Sequence, residues 1–157
     1  MSGHSPAQYR PLASYRLLTS VYLGLCAAFA TWLRHSRRGL PKRPAGGDLA
    51  LGAVATHKAA RMIAHDRVTS GLRAPFTVFQ GDDGPGEVDE AARGRGLRRA
   101  LGELLVCPYC LGMWIATTFV VGLLIAPRAT RWTASAFVIV TGSDLLQIAY
   151  KKAEDLL

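Results

Sequence analysis

Two apolar runs separated by five residues constrain this chain more than any other feature. Leu111–Ala126 contains no charged residue and stops at Pro127-Arg128. Trp132–Tyr150 follows after Pro127–Arg131, holds a single charge at Asp144, and ends at Lys151-Lys152. Runs of this length and apolarity read as bilayer-crossing helices, and a break this short joins them into an antiparallel helical hairpin. A third run, Leu17–Leu33, is bounded by Arg16 and Arg34 with no charge inside, and Tyr15 and Trp32 suit the two membrane interfaces. The fold class expected is therefore all-α: a small helical integral membrane protein with three transmembrane helices.

The charge supports this class. The 157 residues are half hydrophobic yet carry a formal net charge of +8. That combination excludes a disordered chain, and three cysteines are too few for a secreted disulfide scaffold. The excess is localised: residues 34–80 hold nine Lys/Arg against Asp48 and Asp66. The block Arg34–Arg43 suits anionic lipid headgroups, and no nucleic-acid partner is expected because no stacking aromatics are interleaved with it. By the positive-inside rule this block belongs in the cytoplasm. Three spans with an outside N-terminus satisfy the rule, and four spans with an inside N-terminus rank second. Both leave the central loop and the C-terminus cytoplasmic. Ala28-Phe29-Ala30 has the look of a signal-peptide cleavage site, but the basic block that follows opposes export.

A fourth segment, 48–66, reads as an amphipathic helix with Asp48 as N-cap. His57, Arg61 and His65 fall on one side at four-residue spacing, and small residues such as Gly52, Ala53 and Ala60 on the other. It is expected to lie at the interface or to pack against the spans. Residues 1–45 then form an N-terminal transmembrane helix with a basic cytoplasmic linker. Residues 46–157 form the membrane domain, with a cytoplasmic loop over 67–106 and the hairpin over 107–150. Within the loop, Gly81–Gly86 is turn chemistry, a hairpin closing at Glu87-Val88 has weak support, and Leu97–Val106 is an amphipathic helix presenting Leu97, Leu101, Leu104 and Leu105.

Cys107-Pro108-Tyr109-Cys110 carries the most chemistry. Pro108 suits the first turn of a helix, so Cys107 becomes its N-cap and Cys110 sits in the first turn. Backbone N–H groups and the helix dipole there stabilise a thiolate. The tetrapeptide resembles a glutaredoxin active site, but no strand–helix–strand pattern surrounds it. Three readings compete: a redox pair with Cys107 attacking, Cys110 resolving and Glu103 as proton acceptor; two ligands of a zinc site; and small apolar residues framing a helix start. Asp144 is the second feature. An acid inside an apolar run needs a partner or hydration, and Arg61 or His57 could supply the charge.

Several motifs in order resemble domain-of-unknown-function family 1360, a family of uncharacterised bacterial integral membrane proteins. They are His57-Lys58, Asp66–Ser70, Leu72–Thr77, Gly86–Val88, Gly96–Ala100, Gly102–Leu105, Cys107–Gly112 with Trp114, and Ser143-Asp144 with Gln147 and Tyr150. The resemblance spans roughly residues 50–150 and leaves out residues 1–45. It implies a membrane location and no established activity. The function expected first is a membrane scaffold or partner-binding component, self-associating or binding another membrane protein through Gly52, Ala53, Ala60, Gly112 and Ala116. The alternatives are a membrane thiol–disulfide component and a cysteine-ligated zinc site.

Overall fold

The computed structural model describes residues 10–36 and 43–156. Six α-helices and one two-stranded sheet follow in the order α1 (Leu12–His35), α2 (Gly46–His65), a 3-10 turn (Arg67–Thr69), α3 (Ser70–Arg73), β1 (Thr77–Asp82), β2 (Val88–Ala92), α4 (Gly96–Leu105), α5 (Pro108–Ile125) and α6 (Pro127–Glu154). The chain is predominantly helical. Three helices, α1, α5 and α6, are long and apolar enough to cross a membrane. The break between the last two is tighter than the sequence suggests, because Pro127 already opens α6 and only Ala126 separates the helices. Gly122 allows the close turn: a Cβ there would sit 2.6 Å from Thr130 Oγ1.

Of the two placements open to α2, the structure shows packing against the spans. Ala55, Ala59, Ala60 and Ala64 are buried, and α2 lies against both α5 and α6. Ala60, Ala64 and Leu111 form the core, joined by Ile63, Leu104, Leu105 and Ile115. Small side chains explain the packing, since they let backbones approach closely where apolar burial alone gives no preference over lipid. At about 1.5 Å per residue the 20 residues of α2 extend about 30 Å, the thickness of a bilayer core. Asp48 is not its N-cap. That position is Ala45, and Asp48 instead receives two bonds of 2.8 Å from Arg131 at the start of α6.

The contacts along the helices order their directions. Asp48 meets Arg131 and, ten residues on, Lys58 meets Asp144, so α2 runs parallel to α6. Tyr15 bonds Glu103 of α4, and Tyr22 bonds Thr117 and meets Trp114 of α5, so α1 runs parallel to α5. The C-terminal end of α1 and the N-terminal end of α2 therefore share the end where α5 turns into α6. Residues 66–106 lie at the opposite end. This order places Ser36 and Arg43, the described residues that flank the basic block, at the end away from residues 66–106. The physical reason is α2: its alanine face buries between α5 and α6 and carries the chain back along the bundle. Of the basic block, Arg37–Lys42 lies outside the described residues.

The central segment is more ordered than a loop. β1 and β2 pair antiparallel, with Asp82 opposite Val88 and a bulge between Phe79 and Gly81. The turn uses Gly84 and Gly86 at φ +117° and +79°, a backbone region that L side chains rarely adopt. In α4 the fully buried positions are Ala100 and Gly102, while Leu97 of the expected apolar face is 44% exposed. Gly102 is pressed on the hairpin, where an added Cβ would meet Phe76 O at 2.5 Å. Close approach of helix to sheet thus takes the small residues, and Leu104 and Leu105 turn to the α2–α5 core.

Candidate functional site

Cys107 stands between α4 and α5. Its extended backbone (φ −108°, ψ 100°) ends one helix, and Pro108 starts the next with its fixed φ and no N–H to satisfy. Cys107 is the N-cap, and its Sγ accepts the Cys110 N–H at 3.2 Å. The two cysteines are joined as a disulfide with Cα atoms 5.2 Å apart, inside the usual range for such a bridge. Tyr109 between them is 92% exposed. Cys26 is the free cysteine, within α1.

The disulfide separates two cavities. One, of about 720 Å3, lies between α2 and the start of α5 and is lined by His57, Arg61, His65, Cys107, Tyr109 and Gly112. The other, of about 390 Å3, lies between α1, α4 and α5 and is lined by Tyr15, Glu103, Cys110 and Trp114 among others. The helix-spaced stripe His57, Arg61, His65 thus faces the cysteine end of α5. Arg61 is engaged there, donating to both carboxylate oxygens of Glu87 at 2.9 and 2.6 Å.

The remaining residues singled out from the sequence fall as follows. Asp144 is ion-paired, but to Lys58 at 2.8 Å rather than to Arg61 or His57. Lys58 sits on the α2 face turned to α6, whereas Arg61 and His57 line the Cys107 cavity. Glu103 lines the Cys110 cavity rather than the Cys107 one. Its carboxylate accepts the Tyr15 hydroxyl on one oxygen and Arg99 Nε at 2.9 Å on the other. Among the described residues, no group of three or more His, Cys, Asp or Glu is arranged to hold a metal ion.

Sequence reading missed a buried ion pair at the base of the hairpin. Arg73 is fully buried and donates to Glu90 at 3.0 and 3.3 Å, to Ile63 O at 2.6 Å, to Asp66 O at 3.1 Å and to Thr69 Oγ1 at 2.6 Å. Ser70 and Thr77 hydroxyls complete the Glu90 carboxylate. This satisfies every donor of the guanidinium fork and clamps the end of α2 to β2. Burial alone would push the Glu90 carboxyl up, but the bonds from Arg73, Ser70 and Thr77, with the Arg73 charge, outweigh it and hold it below its ordinary range. The Asp66 carboxyl is pushed up, chiefly by burial. The sequence signal was the run of polar residues Thr69, Ser70, Arg73 and Thr77 around a Pro break, with acids a hairpin away.

Residues 51–150 match a family described as a protein of unknown function, DUF1360. The chain is also similar to the sporulation protein YjcA of Bacillus subtilis (strain 168), 26% identical over 110 residues that cover 68% of this chain and 93% of that protein. No solved structure matches. The matched stretch takes in most of α2, the hairpin, the cysteine pair and nearly all of α6, and leaves out α1. On this match the chain belongs to the DUF1360 family of proteins of unknown function.

Proposed function

We propose that this chain is a membrane thiol–disulfide component in which Cys107 and Cys110 interconvert between dithiol and disulfide. The observation that carries the proposal is the bonded cysteine pair at the N-terminus of an 18-residue helix, with a cavity on each side. The N-cap position supports it, because the Cys110 N–H that reaches Cys107 Sγ would stabilise a thiolate there after reduction. The reading of the chain as a self-associating scaffold has less support. It uses small residues free for a second copy, and of these Ala60 is buried in the core.

The cysteine end is proposed to face the cytoplasm. Among the described residues that end carries Arg10, Arg16, Arg67, Arg73, Arg93, Arg95, Arg98, Arg99, Lys151 and Lys152, against Arg34, Arg43, Arg128 and Arg131 at the other. Arg34–Arg43 would then meet anionic headgroups of the outer leaflet. A cytoplasmic disulfide is characteristically transient and catalytic or redox-sensing rather than a staple, which agrees with a working couple.

The test is a redox titration of the purified full-length protein in thiol–disulfide buffers, with the Cys107–Cys110 state read by peptide mapping after alkylation. A reversible two-electron transition with a potential above roughly −300 mV is expected. A pair that stays oxidised at lower potentials, or thiols that never pair, would remove the redox role.

A further inference from the structure

Two apolar cavities lie end to end between α1 and α5. The first, of about 390 Å3, has Cys110, Tyr15 and Glu103 on its wall and reaches to Tyr22 and Trp114. The second, of about 360 Å3, begins at the same Tyr22 and Trp114 and continues past Phe29 to Val121. Together they form a slot leading from the apolar middle of the helices to Cys110. Each volume is in the range of sites for small ligands. Polarity is graded along it. The Tyr15–Glu103 pair stands at the cysteine end and the lower part is almost wholly apolar. Tyr22 and Trp114, edge to face with centroids 5.0 Å apart, mark the junction.

We propose that this slot holds a membrane quinone, ring toward Cys110 and tail along the lower cavity, and that the quinone accepts the electrons of the dithiol. The proposal rests on the redox role above. A quinone fits the grading, since its ring carbonyls take a hydrogen-bond donor, which the Tyr15 hydroxyl supplies on turning from Glu103, and its tail needs none. A lipid acyl chain would match the lower cavity but has no use for the polar end. In the step, the S–H bonds of Cys107 and Cys110 break and the S–S bond forms. The two electrons and two protons released convert the two quinone carbonyls to the hydroxyls of the quinol. The outer wall of the slot is α1, which lies outside the family match, so this electron acceptor would be an addition in this chain to whatever the shared core does.

The experiment uses the full-length protein, reduced and freed of reductant. It is mixed with decylubiquinone, with a ring-only ubiquinone lacking the tail, or with diamide as a soluble thiol oxidant. Quinol is read by absorbance and the disulfide by peptide mapping. One quinol per Cys107–Cys110 disulfide is expected with decylubiquinone. Leu18→Trp, which fills the upper cavity, should slow that reaction at least tenfold and leave the diamide reaction unchanged. Val121→Trp, in the lower cavity, should slow decylubiquinone more than the ring-only quinone. If diamide forms the disulfide and decylubiquinone does not, the quinone site is overturned while the redox role stands, and the slot holds acyl chain only. Equal quinone rates in wild type and both variants would also overturn the site. Failure of every oxidant to pair the cysteines would overturn the redox role and the site together.

Discussion

Helices α1 and α2 run side by side with the same partner, α5, and are held in opposite ways. α1 has 24 residues, a hydropathy sufficient to cross a membrane, and no buried residue. Its attachments are Tyr15 to Glu103, Tyr22 to Thr117, and the Tyr22–Trp114 ring contact. α2 is less apolar and carries His57, Lys58, Arg61 and His65, yet it buries four alanines. Ion pairs tie it at three places: Asp48–Arg131, Lys58–Asp144 and Arg61–Glu87. Composition suits α1 to the bilayer, while contacts hold α2 in the bundle. The family match includes α2 and excludes α1, which follows the same division between the packed core and its apolar neighbour.

The comparison can be broken most forcefully at the C-terminal end of α2. Glu90→Ala leaves Arg73 buried and unpaired, and should cost about 3–5 kcal/mol. Loss of hydrogen-exchange protection should appear in residues 62–92 and spare α1. The same network sets an acid limb. Glu90 has a folded pKa below its ordinary 4.5, so its contribution is full above that value and is lost as pH falls through the lower folded value. Asp66, raised by burial, acts in the opposite sense and gains as it protonates. Exchange protection measured from pH 6 downward should therefore hold near pH 5 and fall below pH 4.5, and Glu90→Gln should remove that acid limb.

A smaller effect is expected midway along α2. Lys58→Met leaves Asp144 without its partner among the helices, at a cost of up to about 2.5–3.5 kcal/mol. Adding Asp144→Leu should recover most of the lost thermal stability in detergent. If the double variant is no better than the single, the pair does not hold α2. The smallest effect belongs to α1. Tyr15→Phe removes one hydrogen bond and should cost about 0.5–1.5 kcal/mol. It should loosen α1 without moving the melting of the α2–α5–α6 core.

How far this was legible in the sequence depended on the kind of interaction. Hydropathy and charge boundaries mark α1, α5 and α6 directly, and Pro108 marks a helix start, whereas Pro127, read as the end of one run, opens the next helix. A small face on α2 was visible, but of the buried alanines only Ala60 lay on it, while Ala55, Ala59 and Ala64 were not placed there and Ala53 is exposed, because the side that packs is chosen by α5 and α6 rather than by local spacing. Lys58 and Arg61 stand only about 60° apart on the helix, too close for periodicity to choose which one meets Asp144. The Arg73–Glu90 pair spans a hairpin whose strands were weakly patterned, and the buried charges leave no apolar signal. At the candidate site, the Cys107 N-cap and Pro108 start followed from local rules. The facing of His57 to the Cys107 cavity, and of Glu103 to the Cys110 cavity, arises from tertiary packing that no local spacing encodes.

That α2 returns along the bundle, placing Ser36 and Arg43 at the opposite end from the cysteine pair, is the claim on which the proposed orientation of the redox pair depends. Its most direct test is labelling with a membrane-impermeant thiol reagent in sealed vesicles. Single cysteines would be introduced as Leu40→Cys, Pro85→Cys and Leu157→Cys in a chain with Cys26, Cys107 and Cys110 replaced. The account predicts that position 40 labels from one side of the membrane and positions 85 and 157 from the other. Labelling of positions 40 and 85 from the same side would contradict it.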